Sequence, residues 1–430
     1  MEEKTLPPPT GYSKKEKRNV IIAVSLGNIL EWYEIYLYVY WSPIIAKLFF
    51  SSGSDFKNLI DTFWVFGLGL LARPVGGIFF GRLGDIIGRK KVLILSVLVM
   101  TIPTFITGLL PTYAQVGALS PWLLAALRLL QSFPAGAELP GACCYLYESS
   151  RFSERKYLTS WAAVGFQTGI LVSTIECFVL EKLLTPEQLI NWGWRLSFWM
   201  GGLIGLAGLF MRSRLHESPL FLEMTKYTTV HKEPLLDLFK HKRGVIQGFF
   251  FSLLCSSGFY LFTVNFPIHF GNSFGLNYTD NLIFLTLFLI LITAPLPLFG
   301  KLAERVDYKK MLVYSTGGMI ILLYPLYFGV VRNNATIIII TMFLFCIMYS
   351  CMTSLLPYIF CNLFPTRSRF TCLSTSFNIA DATIGGFTPV LTLYMLNITG
   401  DIGSFCWILL FFGILSLGSF MMIKERKHPN

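Results

Sequence analysis

The chain has 430 residues, of which 54% are hydrophobic and only 14% are charged, and its mean hydropathy is +0.60. Soluble globular chains carry about 25% charged residues, so this composition excludes an ordinary soluble protein and indicates one that crosses a membrane many times. The net charge of +11 lies in short polar gaps, with no basic surface that also carries stacking aromatic residues. This distribution argues against nucleic acid as a partner.

Twelve apolar segments follow one another along the chain, each near the length of about 20 residues that crosses a bilayer as a helix. They predict an all-α membrane protein with twelve transmembrane helices. The first segment is too long for the core of a cleaved signal peptide and lacks a convincing cleavage site, so we expect it to remain as the first helix. The predicted limits are 20–46, 60–81, 92–112, 119–147, 158–181, 193–212, 244–270, 281–300, 311–331, 336–363, 371–397 and 402–423.

The basic residues are distributed unevenly between the two sides of the predicted helices. Of the 35 Lys and Arg residues, 28 fall in the two tails and in every second connection, and four fall in the opposite connections. The remaining three, Arg73, Arg128 and Arg195, lie within or at the edge of a predicted helix. Because basic connections stay on the cytoplasmic side, this asymmetry predicts that both termini are cytoplasmic.

The longest polar connection separates six predicted helices from the next six. The sequence GRLGDIIGRKKVL at 81–93 recurs as GKLAERVDYKKML at 300–312, each time between the second and third helix of its half. Duplicated six-helix halves are typical of transporters, whose substrate site lies between the halves near the middle of the membrane. The predicted division is a cytoplasmic tail at 1–19, a six-helix bundle at 20–212, a cytoplasmic linker at 213–243, a second six-helix bundle at 244–423 and a cytoplasmic tail at 424–430.

Nothing in the sequence suggests an enzyme, a metal site or a cofactor. The nine cysteines lie in predicted helices and form no CxxC pair, and the five histidines form no HExxH pattern. No arrangement of a nucleophile with a base is apparent. We therefore expect a protein without catalytic residues, bound metal or cofactor.

The first copy of the repeated sequence joins two helices through a very short turn. Gly81 and Gly88 allow another backbone to come close, and Asp85 can cap a helix or accept a charge-assisted hydrogen bond. Arg89 and the two lysines after it hold the turn at the membrane surface. We expect Gly81, Asp85, Gly88 and Arg89 to form a conformational latch.

Several charged residues lie inside the predicted helices. In SLGNILEWYEIYLYVYW at 25–41, Asn28 and Glu31 are three residues apart and Glu34 and Tyr38 are four apart, so they share adjacent strips of one helix face. A charge that faces lipid costs about 2.5 to 3.5 kcal/mol on an insertion scale, so such side chains must face protein or water. The other charged residues at membrane depth are Arg73, Arg128, Glu138, Glu176, Arg195 and Asp381.

Six motifs together point to a known family. They are EWYE at 31–34, RPVGGIFFG at 73–81, the repeated sequence at 81–93, RLLQSFPAGAELPGA at 128–142, NWGWRLSFW at 191–199 and LFPTRSRF at 363–370. The chain resembles the major facilitator superfamily, and within it the metabolite:proton symporter family, over roughly residues 20–420. Members of that family carry proline or betaine, α-ketoglutarate, citrate or shikimate. The resemblance implies two pseudo-symmetric six-helix bundles that work by alternating access.

The chain departs from the family pattern at three places. Glu34 stands where the family usually has Asp, which keeps the acid. RLLQS and GAE replace RxxQG and GGE, which keeps Arg128 and Glu138 but changes the small residues around them. In the second copy of the repeat, Asp307 and Tyr308 replace Gly and Arg, so we expect a weaker latch there.

We expect Glu34, Glu138 and Arg128 to couple transport to protons. A carboxyl group removed from water favours its neutral form, whereas a nearby guanidinium favours the charged form. An acid whose arginine partner changes between the outward-facing and inward-facing states therefore takes up and releases a proton. The motifs suggest Arg128 as the nearest partner.

Six residues are expected to bind substrate. Glu31 either lines the substrate path or bonds to a neighbouring helix. Arg73 lies too deep for a surface anchor, and it either holds an anionic group or pins an acid on the first or fourth helix. Asp381 has no acid at the matching place in the family pattern, so it can tune the choice of substrate in this chain. The six residues are Asn28, Glu31, Tyr38, Arg73, Gln131 and Asp381.

The sequence predicts proton-coupled uptake of a small organic acid, an amino acid or a betaine-like zwitterion. The arginines suit a carboxylate, and an aromatic wall suits a quaternary ammonium group, so the substrate stays open. One alternative is a proton-antiport exporter. Such exporters have a Gly- and Pro-rich motif at the end of their fifth helix, whereas GILVSTIECFVL at 169–180 has no proline. A substrate sensor without flux is a further alternative, but no cytoplasmic signalling domain supports it.

These predictions also imply where the protein works and with what. We expect a monomer in the bacterial inner membrane, whose partners are a small-molecule substrate, protons and the lipid bilayer.

Overall fold

The computed structural model describes residues 13–51, 53–227, 236–265 and 278–423, and within these ranges the chain forms helices and turns without a β-strand. Eleven of its helices are long and apolar enough to cross a membrane. One further long helix, Leu119–Glu148, brings the number of crossings to twelve. The predicted all-α fold with twelve transmembrane helices is therefore confirmed.

The twelve helices are numbered here in chain order. The first half contains α1 (Lys14–Tyr40), α2 (Asp55–Ile87), α3 (Arg89–Thr107), α4 (Leu119–Glu148), α5 (Arg155–Leu183) and α6 (Trp194–Ser213). The second half contains α7 (Lys242–Tyr260), α8 (Tyr278–Thr293 and Leu296–Leu302), α9 (Tyr308–Val331), α10 (Ala335–Leu363), α11 (Arg369–Ala380 and Gly386–Thr399) and α12 (Phe405–Met421). Short helices lie between them at Ser42–Phe49, Tyr113–Val116, Pro186–Gln188, Pro219–Tyr227 and Leu236–Lys240.

The helix α4 carries three charges, Arg128, Glu138 and Glu148, that a lipid-facing helix would not tolerate. All three side chains are buried, because α4 packs against α1, α2 and α3 and also touches α11. Its 30 residues extend about 45 Å at 1.5 Å per residue, which exceeds the hydrocarbon core of about 30 Å. It is thus an inner helix of the bundle.

Several helix limits differ from the predicted ones. The helix α1 begins at Lys14 rather than at residue 20, because Ser13 and Glu16 form a reciprocal cap at its start. It ends at Tyr40 rather than at 46, and a separate short helix follows with Pro43 in its first turn. The helix α2 continues to Ile87, beyond the predicted end at 81. Parts of the predicted elements lie outside the described residues: 1–12, 52, 228–235, 266–277 and 424–430.

Two helices are interrupted where Pro and Gly residues accumulate. The helix α8 breaks at residues 294–295, within TAPLPLFG. The helix α11 widens into one π-helical turn at Asp381–Gly385, just before GFTP. Both breaks follow from the missing N–H group of proline and the freedom of glycine, which weaken the regular hydrogen-bond ladder.

The two halves meet through crossed pairs of helices. The helix α2 packs against α11, and α5 packs against α8 and α10. Glycine makes the first contact close, since a Cβ atom on Gly81 would lie 3.0 Å from the Cα atom of Thr371. In these contacts the first half contributes α2 and α5, and the second half contributes α8, α10 and α11. The space between the halves is lined by parts of α1, α4, α5, α7, α10 and α11.

Candidate functional site

A buried cluster of three charges joins the two halves near the middle of the bundle. Arg73 of α2 donates to the carboxylate of Glu31 on α1, and Asp381 in the π-helical turn of α11 lies 3.5 Å from the same guanidinium. The three residues are 0 to 4% exposed. The sequence expected Arg73 to meet either a substrate or an acid, and in this structure it meets two acids, one from each half.

This cluster keeps unused hydrogen-bonding capacity. Among the described residues, Nε and Nη1 of Arg73 and Oε2 of Glu31 make no hydrogen bond. The hydroxyl group of Tyr260, from α7, also has no partner in the described part of the chain. Because buried polar groups are normally hydrogen-bonded, these atoms indicate a place where a ligand or water completes the network.

A small cavity of about 50 Å³ lies between the halves beside this cluster. Aromatic side chains form much of its wall: Trp32 lies 4.2 Å from Phe166 and 5.9 Å from Phe259, centroid to centroid. Asp381 is the charged residue among the described ones that line it. Ligand pockets typically reach about 300–1,000 Å³, so this cavity is smaller than a typical ligand pocket.

A second network surrounds Glu34, one turn further along α1. Thr104 of α3 donates to Glu34, Gln131 of α4 donates to Thr104 over 3.1 Å, and Arg128 donates to Gln131 over 3.2 Å. Arg128 forms no ion pair within 4 Å among the described residues, and its Nε atom has no partner there. Glu34 is thus linked to a guanidinium through neutral groups.

Two further expected substrate residues lie on α1 but bond within the protein. The Asn28 amide donates to the carbonyl oxygen of Ala162 on α5 over 3.2 Å, and its own oxygen has no partner in the described chain. The Tyr38 hydroxyl donates to the carbonyl oxygen of Thr62, and the Arg128 guanidinium lies 4.4 Å over its ring. Tyr38 and Gln131 therefore belong to the Glu34 network rather than to the Arg73 cluster.

The expected partnership of Glu138 with Arg128 is absent. Glu138 instead forms an ion pair with Arg212, at the end of α6. Arg212 also donates to the carbonyl oxygens of Ala23 and Leu93, and Ser96 donates to Glu138 over 2.7 Å. Glu138 and Arg128 are ten residues apart on one helix, a rise of about 15 Å, so they cannot meet. The sequence analysis did not identify Arg212 as the partner of Glu138.

The predicted latch lies at the face of the bundle where α1 begins, called the tail face below. Asp85 accepts hydrogen bonds from the backbone N–H groups of Phe370 and Thr371, over 3.3 and 2.9 Å, at the start of α11. Arg89 lies 3.1 Å from Asp85, and its side chain donates to the carbonyl oxygen of Thr366. Asp85 and Arg89 thus join the first half to the second by hydrogen bonds.

Two charged residues of this latch were not identified from the sequence. Glu148, at the end of α4, pairs with Arg89 over 2.9 Å and with Arg369 over 2.9 Å. Ser218, in the connection between the halves, donates to the same carboxylate over 2.8 Å. Arg369 falls within the quoted motif LFPTRSRF, which was the available signal, whereas Glu148 lies outside every motif.

The second copy of the repeat forms a matching contact. Glu304 occupies the place that corresponds to Asp85, and it accepts hydrogen bonds from the backbone N–H groups of Lys156 and Tyr157 over 2.6 and 3.0 Å. The unusual Asp307 caps α9 through the N–H group of Lys309 over 2.8 Å. Each copy therefore uses its acid to cap a helix of the opposite half.

Glu176 and Arg195 are the other charged residues inside the predicted helices, and both form hydrogen bonds within the first half. Tyr33 donates to Glu176, which joins α1 to α5. Arg195 donates to the carbonyl oxygens of Gly108 and Leu110 over 2.8 and 2.9 Å, and so holds the connection after α3. Neither residue lines the cavity between the halves.

Comparison with known proteins identifies the family. The family model described as Major Facilitator Superfamily matches residues 24–377. The chain belongs to this superfamily. The citrate-proton symporter of Klebsiella pneumoniae is 30% identical over 382 residues, which cover 89% of this chain and 86% of that protein. The proline/betaine transporter of Salmonella typhimurium is 26% identical over 418 residues, which cover 95% and 83%. The expected resemblance to metabolite:proton symporters is confirmed.

Solved structures of this superfamily share the fold. The proton:xylose symporter XylE bound to 6-bromo-6-deoxy-D-glucose gives a TM-score of 0.77 at 15% identity, with 95% of each chain covered. The inward-open conformation of XylE from E. coli gives 0.66 at 14% identity, with 96% of this chain and 97% of that chain covered. The chain is therefore a multi-pass membrane protein from a family of transporters, with the major facilitator fold.

Proposed function

We propose that this chain is a secondary active transporter that takes up a small solute together with a proton by alternating access. It works in the bacterial inner membrane with both termini in the cytoplasm, so the tail face is the cytoplasmic face. The observation that carries the proposal is the Arg73 cluster, which joins the two halves beside the cavity through Glu31 and Asp381. The solute carries a carboxylate: it is an organic acid, an amino acid or a betaine-like zwitterion.

Arg73 supports the choice of a carboxylate. Its guanidinium can bind a carboxylate through two parallel hydrogen bonds, and its Nε and Nη1 atoms have no hydrogen-bond partner in the described chain. A substrate carboxylate that reached these atoms would engage α2 directly and disturb the contact with Asp381 on α11. Substrate binding would thereby change the contact between the halves, which is what alternating access requires.

The proton is carried by Glu34 in this proposal. Glu34 is buried, and Arg128 reaches it only through Gln131 and Thr104. Burial favours a neutral carboxyl group, and a nearby guanidinium favours the charged one. A small movement of α4 relative to α1 would bring Arg128 closer to Glu34 or take it away, and so release or bind a proton.

We assign Glu138 a structural role instead. Both of its carboxylate oxygens accept hydrogen bonds from Arg212, and Ser96 supplies a further one. The guanidinium of Arg212 is bonded in turn to backbone carbonyl oxygens of α1 and α3. These contacts fasten α6 to the rest of the first half.

In this proposal the latch closes the tail face of the carrier. Asp85, Glu148 and Arg369 connect the halves on that side of the cavity. Beyond the cluster, the Tyr36 hydroxyl on α1 contacts the Thr263 hydroxyl at the end of α7 over 2.7 Å. In our proposal the latch contacts break when the carrier opens to the cytoplasm. The contact between Tyr36 and Thr263 is part of the opposite gate.

Uptake is favoured over export by the geometry of α5. The helix Arg155–Leu183 is continuous and contains no proline. Proton-antiport exporters of the superfamily, in contrast, carry a Gly- and Pro-rich motif at the end of their fifth helix. A proton-antiport exporter stays the alternative, and a sensor without flux is a third.

Transport by purified protein tests this proposal. Proteoliposomes would be given an imposed proton gradient and a panel of labelled solutes: proline, glycine betaine, α-ketoglutarate, citrate and shikimate. One charge moving through 150 mV supplies about 3.5 kcal/mol, so a symporter should accumulate its substrate on the order of a hundredfold or more, at about 1.4 kcal/mol per factor of ten. Solute that leaves the vesicles as protons enter would identify the exporter, and binding without flux would identify the sensor.

A further inference from the structure

We propose that Asp381 binds the positively charged group of the substrate, so that this carrier selects zwitterions with a substituted ammonium group over dicarboxylates. The inference rests on the proposed function and decides between the substrate classes that it leaves open. Three observations lead to it: the charge of the cluster, the loose hold on Asp381 and the aromatic wall.

The cluster has a net negative charge when both of its acids are ionised. Glu31 and Asp381 both lie against Arg73, so two carboxylates share one guanidinium. The next guanidinium, that of Arg128, is engaged with Gln131 and with the ring of Tyr38. A dianion that approached the cavity would meet this excess of negative charge, whereas a zwitterion brings one charge for Arg73 and one for the extra carboxylate. The arrangement therefore opposes dicarboxylates and favours zwitterions.

Asp381 is the member of the cluster that is free to change partner. Its carboxylate lies 3.5 Å from Nη1 of Arg73, which is longer than the 2.7–2.9 Å of a charge-assisted hydrogen bond. Its other interaction is with the hydroxyl group of Ser256 on α7. Asp381 also lines the cavity, which neither Glu31 nor Arg73 does. A cation in the cavity would therefore reach Asp381 before any other carboxylate of the cluster.

The remaining wall of the cavity suits a cation that carries methyl or methylene groups. Trp32, Phe166 and Phe259 come from three different helices, and Phe166 and Phe259 lie 4.9 Å apart. Aromatic faces attract onium groups without demanding hydrogen bonds. The Arg73 guanidinium lies 5.0 Å over the ring of Trp32, so this ring already contacts one cationic group of the cluster. The carboxylate of the same substrate would then reach Arg73 and the unpartnered hydroxyl of Tyr260.

Direct binding and transport together test this inference. Purified protein would be titrated with glycine betaine, proline, α-ketoglutarate and citrate, and proteoliposome uptake of the same solutes would be measured. Wild-type protein should prefer betaine or proline, and Asp381→Asn should weaken their binding on the order of ten- to a hundredfold, as expected for loss of a charged partner. The variant should leave dicarboxylate binding unchanged or stronger, so that the ratio between the two classes moves.

Two further variants separate specificity from folding. Asp381→Glu keeps the charge and should retain the preference for zwitterions. Glu176→Gln removes an acid that bonds to Tyr33 away from the cavity, so the ratio should stay as in wild type. A wild-type protein that prefers a dicarboxylate, or an unchanged ratio in a folded Asp381→Asn variant, would overturn the inference. Zwitterion binding that depends on Asp381 but drives no proton-coupled uptake would support it and reject the proposed symport.

Discussion

At the scale of single residues, the two acids of α1 acquire different chemistry although they are only three positions apart. Glu31 meets the Arg73 guanidinium, whereas Glu34 meets the Thr104 hydroxyl, with Arg128 further away. The first environment supplies a permanent counter-charge, and the second supplies one that a small helix movement can change. The sequence predicted that both acids face inward, but it could not assign these partners because they lie on α2 and α3.

The assignment of Glu34 predicts a defined transport defect. Glu34→Gln should abolish accumulation driven by a proton gradient, because the amide cannot exchange a proton, while exchange of substrate across the membrane stays partly intact. The measurement is the accumulation ratio beside the exchange rate in proteoliposomes. Glu176→Gln is a matched control, since that acid also accepts a hydroxyl hydrogen bond within the first half. An unchanged accumulation ratio in Glu34→Gln would remove Glu34 from the mechanism.

The pair of Glu138 and Arg212 predicts a stability defect instead. Glu138→Gln should lower the free energy of unfolding by about 3–5 kcal/mol, since it leaves a buried guanidinium without its counter-charge. The double variant Glu138→Leu with Arg212→Met should recover much of that loss, because no buried charge then stays unpaired. Thermal unfolding in detergent measures both. A stable Glu138→Gln protein that has lost only its proton coupling would return Glu138 to the proton pathway.

The residue-level errors have a physical origin. Helix geometry alone excludes a contact between Arg128 and Glu138, since ten residues of α-helix rise about 15 Å. The true partner, Arg212, lies 74 positions along the chain from Glu138. Nothing in a single sequence marks such a pair, because an arginine at a helix end also fits the ordinary role of a surface anchor.

At the scale of helices, local sequence predicts where a helix starts, bends or ends more readily than what it touches. Both interruptions, in α8 and α11, lie where Pro and Gly residues accumulate, and the second one carries Asp381 into the cavity. The helix α1 ends before its predicted limit, because a continuous apolar segment conceals the start of the next helix at Ser42, which has Pro43 in its first turn. An apolar segment indicates that its residues lie within the membrane, but it does not indicate whether they form one continuous helix.

The turn between α2 and α3 depends on one backbone conformation. Gly88 has φ of +108°, which residues with a Cβ atom rarely adopt. A Cβ atom there would also overlap the Glu217 carboxylate, which accepts hydrogen bonds from the N–H groups of Arg89 and Lys90. Gly88→Ala should therefore cost about 1–3 kcal/mol of stability and slow transport.

A second glycine provides the comparison for that variant. Gly317 lies in α9, and a Cβ atom there meets nothing within 4 Å. Gly317→Ala should leave the unfolding temperature unchanged or raise it, because alanine is the better helix former. Both variants are compared by thermal unfolding and by initial uptake rate. Equal stability of the two would show that the turn tolerates a side chain and that Gly88 is not needed for the latch.

At the scale of the whole molecule, the duplicated sequence appears as a duplicated contact. Asp85 caps α11 and Glu304 caps α5, so each half closes on the other with the same type of hydrogen bond. The repeat could be read from the sequence, as could the number of helices. The pairing of α2 with α11 and of α5 with α8 could not be predicted from the sequence, because membrane helices that are apolar on all sides show no preferred face.

Opening of the tail face should expose a cysteine that is buried there. The thiol of Cys361 on α10 contacts that of Cys144 on α4, so it lies between the halves, and it is fully buried. In a variant that keeps only this cysteine, alkylation by N-ethylmaleimide should be slow. Adding Asp85→Asn removes the charge that caps α11, and a hydrogen bond to a charged group contributes about 1.5–3 kcal/mol. The open state should become more populated, with labelling faster on the order of tenfold.

Cys406 of α12, alone in the same background, is the control, because it lies within the second half and its labelling rate should not respond. Equal acceleration at both cysteines would mean that Asp85→Asn loosens the whole fold, and no acceleration at Cys361 would mean that Asp85 does not hold this face closed.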